Sequence, residues 1–150
     1  NYHPIPVKTN SAGEKYSKIL NKIFINDYNF KDYDRATNIY WPGNKLGHGR
    51  EDVIKFWNSL KSILSEIKFK IEHVGYLDEP NRNPRASIRW SLEGIHSKDS
   101  KDYGKKTNSN LSFIGINHAE LNPYGVIKEW VLFDEVAIWK QILMNRNKNG

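Results

Sequence analysis

The chain has 150 residues, of which 23 are basic and 17 acidic, for a formal net charge of +6. This length suits one domain, and 13% aromatic residues exclude a disordered chain. The absence of cysteine excludes a disulfide framework, a thiolate metal site and a cysteine nucleophile.

No apolar run approaches the roughly 20 residues that span a bilayer. We therefore expect no membrane partner and a cytoplasmic location. The basic residues are spread along the chain without a recognised nucleic-acid motif, which predicts a solvated basic surface and no nucleic-acid partner. The only methionine is Met144, so we expect a processed form or a piece of a longer protein.

Two helices are predicted in the first half of one domain, residues 12–144, between a loosely ordered lead-in (1–11) and a polar tail (145–150). The first begins at Ala12, because apolar residues from Tyr16 to Phe24 recur with the spacing of one helix face. The second runs from Arg50 to about Ser65. Between them, the breakers within 31–49 predict a turn or short helix that leads into a loop.

Four strands are predicted after the second helix. Alternating apolar residues indicate strands around Ile67–Tyr76 and over Arg85–Ser97, and a polar loop follows at 98–106. Two more are predicted over Asn108–Asn122 and Val126–Gln141. Helices first and strands afterwards predict an α+β fold, in which one curved antiparallel sheet packs against the helices.

The segment Asn122–Val126, of sequence Asn-Pro-Tyr-Gly-Val, fits a three-residue hairpin loop. The register that follows places Glu120 opposite Lys128 and His118 opposite Trp130. One face of this hairpin then carries Ile114, Ile116, His118, Trp130, Leu132 and Asp134. We expect this apolar face to look into a cavity.

Three titratable residues are candidates for chemistry at that cavity. Asp134 is either a desolvated acid–base group or a capping carboxylate at a strand end. His118 is either a polar group of the cavity or a satisfied histidine at its rim. His96 shares strand parity with Trp90 and either faces the cavity or begins the polar loop.

The sequence predicts neither a metal site nor a cofactor. His73, His96 and His118 form no closely spaced pair and have no carboxylate at ligand spacing. His48 lies between two glycines before a helix, but Gly47-His48-Gly49 matches no phosphate-binding loop, and the chain has no dinucleotide fingerprint.

Several runs together resemble the SnoaL-like polyketide cyclase family, which belongs to the nuclear transport factor 2-like superfamily. The similarity covers roughly Tyr16–Ile142 and is closest to the second domain of two-domain members. The runs that carry it are Gly47–Glu51 with Phe56-Trp57, Arg89–His96, Gly115–Ala119, Glu129–Glu135 and Trp139–Gln141.

The resemblance implies a cone-shaped barrel, with the sheet wrapped around the N-terminal helices and an enclosed apolar pocket. It also implies a homodimer packed through the outer sheet face, for which Val131 and Phe133 are the expected contacts. In the cyclases an acidic residue of the Trp-x-x-x-Asp stretch acts as acid and base in an aldol-type ring closure, and that position is Asp134 here. His118 is carried over as its companion. The substrate-binding residues expected around the pocket are Trp90, His96, Ile116, Trp130, Leu132 and Tyr40.

Two functions are consistent with these features. One is a cofactor-independent cyclase or isomerase acting on a small hydrophobic carbonyl compound. The other is a non-catalytic domain that binds a small molecule or another protein. The two differ in what they require of Asp134, because only the enzyme needs that carboxylate inside a closed cavity.

Overall fold

The computed structural model describes residues 11–149, so most of the predicted lead-in lies outside the described residues. Its helices are α1 (Ala12–Phe24), α2 (Gly49–Lys61) and α3 (Glu135–Asn149). Its strands are β1 (Tyr33–Trp41), β2 (Lys45–His48), β3 (Leu64–Leu77), β4 (Arg85–His96), β5 (Asn110–Asn122) and β6 (Gly125–Phe133). Within 11–149, no helix is both long enough and apolar enough to cross a membrane.

The six strands form one curved sheet in the order β2-β1-β6-β5-β4-β3. The α+β class is therefore confirmed. Two details differ from expectation: the sheet is open rather than closed into a barrel, and β1 pairs with β6 in parallel. Parallel pairing requires a long connection, which the intervening helix and strands supply.

Helix α1 follows the predicted pattern. Tyr16, Leu20 and Ile23 are buried on one face, and the Ser11 hydroxyl accepts a hydrogen bond from the Glu14 amide at 3.1 Å. This cap satisfies one of the free amides in the first turn. Helix α2 ends at Lys61, before the predicted end at Ser65, because Leu64 already begins β3.

The prediction for residues 31–49 is correct for the short helix at its start and wrong for the loop that was expected to follow. After a short 3-10 turn at Phe30–Asp32, this segment forms β1 and β2, which are joined at the turn of Pro42, Gly43 and Asn44. Burial alternates only at the end of β1, where Ile39 and Trp41 are buried and Tyr40 is exposed. That run is too short to outweigh the breakers on its C-terminal side.

The predicted strand 126–141 is correct only as far as Phe133. The chain then enters α3, because the Asp134 carboxylate accepts a hydrogen bond from the Ala137 amide at 3.1 Å and caps the new helix. Trp139 consequently lies on a helix and packs against Tyr103. The predicted polar tail continues this helix as far as Asn149.

The register of the β5–β6 hairpin is confirmed over its length and changes at its turn. His118 pairs with Trp130 and Glu120 with Lys128, but a bulge then pairs Asn122 with Gly125. The loop is therefore two residues long. Gly125 has φ +120°, and a Cβ atom there would lie 2.5 Å from the Asp32 carbonyl oxygen, so only glycine fits.

The facing of this hairpin is opposite to the prediction. Trp90 on β4 is buried and pairs with Gly115 on β5, and paired residues share a face. A Cβ atom at position 115 would lie 2.1 Å from Trp90 Cζ2, so the glycine leaves the room that the indole occupies. The inner face of the hairpin therefore carries Gly115, Asn117, Ala119, Glu129, Val131 and Phe133.

Aromatic rings fill the space between the sheet and helices α1 and α2. Phe24 stacks on Phe69 with 4.0 Å between ring centroids, and Trp57 meets Trp90 edge-on at 6.3 Å. Trp41, Phe56, Phe113 and Phe133 also belong to this cluster. Aromatic pairs at these separations form a packed core.

Candidate functional site

A carboxylate lies inside this core. Glu129 is on β6, faces inward with Val131, and has no exposed surface. A buried carboxylate is costly unless donors replace the water that it loses. The surrounding residues supply such donors.

Two tyrosines donate to Glu129 from different elements. The Tyr16 hydroxyl, on α1, donates to Oε2. The Tyr33 hydroxyl, at the start of β1, lies 3.0 Å from both carboxylate oxygens. The carboxylate thereby ties the first helix to the parallel pair of strands β1 and β6.

The network continues to the next two strands. Asn117 Nδ2 donates to the Tyr16 hydroxyl oxygen at 2.9 Å, and Trp90 Nε1 donates to Asn117 Oδ1 at 2.9 Å. In this series of hydrogen bonds, from Trp90 through Asn117 and Tyr16, each donor therefore leads to the next residue toward Glu129. The Trp57 indole N–H lies near enough to Glu129 to lower its pKa, but Nε1 makes no hydrogen bond of normal geometry.

Burial dominates the acidity of this group. Desolvation raises the pKa of Glu129 from its ordinary 4.5 to about 7, although the hydrogen bonds from Tyr16 and Tyr33 act in the opposite direction. Burial and the nearby carboxylate also raise the pKa of both tyrosines well above 10.0. The carboxyl group is thus the member of the network that exchanges a proton near neutral pH.

A separate, open cleft of about 950 Å³ lies beside α1, the start of β1 and the β5–β6 turn. Neither Glu129 nor Tyr16 lines it. Its basic residues are Lys15, Lys18, Lys22, Lys31, Arg35 and Arg50, and its acidic residues are Asp32, Asp34 and Asp78. Ile19, Pro84, Leu121, Pro123 and Tyr124 are among the apolar residues that line it. The cleft therefore combines an apolar part with an excess of positive charge.

Among the described residues, no group of three or more histidine, aspartate or glutamate side chains is arranged to hold a metal ion. His48 ends β2, and its ring contacts the Asn38 side chain.

The architecture matches solved structures at low sequence identity. A proposed SnoaL-like polyketide cyclase from Jannaschia superposes with a TM-score of 0.65 at 14% identity, over 89% of this chain and 98% of the other. A proposed polyketide cyclase from Pseudomonas putida superposes with a TM-score of 0.72 at 7% identity, over 89% of this chain and 98% of the other. AclR from Streptomyces galilaeus, described as a proposed hydroxylase, gives 0.66 at 9% identity, over 89% and 98%.

This chain has the SnoaL-like fold. No family profile and no curated protein matches its sequence. Because one SnoaL-like scaffold carries proteins named for different chemistry, the activity has to be argued from the residues of this chain.

The SnoaL-like fold places Asp134 outside the interior. The residue is exposed, follows the last residue of β6, and caps α3. The capping alternative therefore describes its contacts. The expectation that its side chain faces a cavity is wrong. Strand β6 has already ended at Phe133, and the face of β6 that shares the parity of Asp134 points outward.

The same inversion applies to most of the other expected pocket residues. Ile116 and Leu132 are 41% and 62% exposed on the outer sheet face. Tyr40 is 37% exposed and stacks on the half-buried Trp130. His118 is half-buried on this outer face, where burial lowers its pKa.

Trp90 and His96 do point inward, as their strand parity predicts. Trp90 belongs to the aromatic core and donates to Asn117. His96 is buried, its Nδ1 lies 3.2 Å from the Thr107 hydroxyl, and burial lowers its pKa.

Sequence reasoning missed Glu129, Tyr16, Tyr33 and Asn117 as members of one site. A signal was present: Glu129 has the same strand parity as Val131 and Phe133, so a carboxylate lies on an otherwise apolar face. Its tyrosine partners are 113 and 96 residues away, a separation that only the folded chain reveals.

We expect Glu129→Gln to remove a pH dependence of stability. The folded-state pKa lies above the ordinary value, so the folded state binds more protons between about pH 4.5 and 7. The wild type should therefore lose up to about 3 kcal/mol of unfolding free energy across that window as pH rises, and the variant should not. Urea denaturation at several pH values measures this difference.

Glu93→Gln is the matched control, because Glu93 is exposed on strand β4 of the same sheet. This control should reproduce the wild-type profile. Parallel profiles for wild type and Glu129→Gln would contradict the assigned role of the buried carboxyl.

We expect Asp134→Ala to act as the loss of a helix cap. Removing the acceptor of the Ala137 amide should lower the unfolding free energy by about 1 kcal/mol. Asp134→Ser should recover most of the loss, since serine also accepts at this position. Chemical denaturation checks the pair, and a serine variant as unstable as the alanine variant would contradict the capping role.

Proposed function

We propose that the chain is a small-molecule-binding domain that holds its ligand in the open cleft and carries out no reaction at Asp134. The observation that supports this function is that the buried Glu129 carboxylate does not line the cleft. The cleft has the volume of ordinary ligand sites, which span about 300–1,000 Å³. The interior, where an enclosed pocket was expected, is instead occupied by aromatic rings.

The positions of the expected catalytic pair also favour binding over catalysis. A general acid or base has to reach the proton that it transfers, within about 2.6–3.2 Å of the donor atom. Asp134 is solvent-exposed at the start of α3, and His118 faces away from the interior. A substrate inside the core would contact neither group.

One observation favours a second function, cofactor-independent acid–base chemistry on a small hydrophobic carbonyl compound. Glu129 has a pKa of about 7, which suits proton transfer at neutral pH, and two tyrosine hydroxyls are already directed at it. For this chemistry, the substrate would have to displace a tyrosine or part of the aromatic cluster. We therefore rank it second.

Ligand mapping by amide NMR separates the two functions. We expect soluble organic compounds, cyclic ketones included, to shift the signals of Lys15, Ile19, Asn122 and Tyr124 without being converted. The cleft holds all four of these residues.

The opposite result would be shifts centred on Glu129 and Tyr33 together with turnover of a ketone. If Glu129→Gln then lowered the rate by about 10²–10⁴-fold while Asp134→Asn left it unchanged, the acid–base function would replace the binding function.

We also propose that two copies associate through the outer sheet face, but not through the residues expected from sequence. Val131 and Phe133 are buried, whereas Ile114 and Leu132 are 61% and 62% exposed beside the stacked pair of Tyr40 and Trp130. Exposed apolar patches of this kind are typical of interfaces between proteins. A second copy presents the same patch and is the occupant that we propose.

Sedimentation velocity tests this association. The wild type should sediment at twice the 17.5 kDa chain mass, and Leu132→Lys should sediment as a monomer. Ile25→Lys is the matched control, because Ile25 is 70% exposed at the end of α1, and it should remain dimeric. A wild type that is monomeric at micromolar concentration would overturn the proposal.

A further inference from the structure

The charges of the cleft are unevenly paired. Lys22 Nζ lies 3.7 Å from the Asp32 carboxylate, so these two residues offset each other. The Asp34 carboxylate accepts from the Ala36 amide and from Asn122 Nδ2, both at 2.8 Å, and these bonds, with a smaller contribution from the charge of Arg50, hold its pKa below the ordinary value. Two of the three carboxylates that line the cleft are thus already occupied by this chain.

The basic side chains are less well matched. Lys18 pairs with Glu14 at 3.0 Å. Within residues 11–149, four cationic side chains of the cleft have no carboxylate oxygen within 4.0 Å: Lys15, Lys31, Arg35 and Arg50. The cleft therefore has an excess of positive charge after its internal ion pairs are counted.

Arg50 differs from the other three because its side chain is held in place. It is half-buried in the first turn of α2, and its Nε donates to the Tyr33 carbonyl at 2.7 Å. Among residues 11–149, its two terminal nitrogens have no hydrogen-bond partner. A guanidinium fixed through Nε presents those nitrogens as a planar pair, which is the geometry that binds carboxylate or phosphate through two hydrogen bonds.

The apolar part of the cleft determines what accompanies the anion. Tyr124 is 75% exposed, and Pro84 and Pro123 lie along the same cleft, over the buried Ile19 and Leu121. Such a surface suits a hydrocarbon body, whereas a fully hydrated inorganic ion would leave it uncovered.

We propose that the cleft binds an amphipathic small-molecule anion, with its carboxylate or phosphate head on Arg50 and its apolar body along Pro84, Pro123 and Tyr124. The inference rests on the proposed binding function and adds the chemical class of the ligand. The surrounding lysines contribute attraction that depends on ionic strength, and Arg50 contributes the directed hydrogen bonds.

Calorimetric titration with octanoate, octyl phosphate and octanol tests the head group. These probes have the same eight-carbon chain, so octanol reports the apolar contribution alone. We expect both anions to bind at least about tenfold more tightly than octanol, because hydrogen bonds to charged groups are the strong ones. The anion that binds with the higher affinity identifies the preferred head group.

The possible outcomes distinguish a failure of the anionic ligand class from a failure of the binding function. Equal affinity for octanol and the anions would overturn the anionic class while leaving the binding function intact. Binding of none of the three probes would overturn the anion proposal, and the NMR survey of neutral compounds would still decide the binding function.

Two variants test where the anion binds. Arg50→Gln should weaken octanoate about tenfold and leave octanol unchanged, whereas Arg89→Gln, at an exposed position of β4, should change neither. If Arg50→Gln does not fold, the double variant Lys15→Gln/Arg35→Gln, at exposed positions, should still weaken octanoate at low salt. Unchanged octanoate affinity in a folded Arg50→Gln variant would overturn the assignment of the head group to Arg50.

Discussion

The burial of the Glu129 carboxylate is the constraint on which the interior depends. A charged group without water requires several donors, and each donor here comes from a different part of the chain. Tyr16 of α1 and Tyr33 of β1 donate to the carboxylate, and Asn117 of β5 donates in turn to the Tyr16 hydroxyl oxygen. The network therefore fixes how the first helix lies relative to strands β1, β5 and β6.

This constraint also bears on function. A polar group that is fully satisfied by the protein has little left to offer a substrate, and the aromatic rings around Glu129 leave it covered. The cleft beside α1 has the complementary property: Arg50 keeps terminal nitrogens without a described partner, next to apolar side chains. Glu129, whose pKa lies near neutral pH, is thus separate from the cleft, which is the surface that a ligand can reach.

Much of the fold could be predicted from the sequence where one signal decides it. The period of 3.6 identifies α1, strand alternation places Trp90 inward, and the spacing around the β5–β6 turn sets the pairing of His118 with Trp130. The SnoaL-like fold was accessible through resemblance of several runs. Helix α3 was missed, because Val136 and Ile138 extend an apolar strand pattern past the capping Asp134.

The site was predicted on the wrong face for a physical reason. On β5, isoleucines face outward while Gly115 and Asn117 face the core, so local hydropathy indicates the reverse of the true orientation. The β4–β5 register decides the matter, because it sets Trp90 against Gly115, on the face of β5 that also buries Phe113. That register depends on the geometry of the connection between the strands, which composition does not determine. Asp134 and His118 were predicted as site residues because they share the face of Ile116 and Leu132, and Glu129 was overlooked because it lies on the opposite face.

Carbon-13 NMR titration of the Glu129 side-chain carboxyl tests the central claim most directly. Single-residue assignment by comparison with Glu129→Gln would allow its midpoint to be read without interference from the other carboxylates. The account predicts a midpoint near pH 7, since burial outweighs the hydrogen bonds from the two tyrosines. A midpoint at or below the ordinary 4.5 would show that the group is hydrated or more strongly stabilised in its charged form, and would contradict the account.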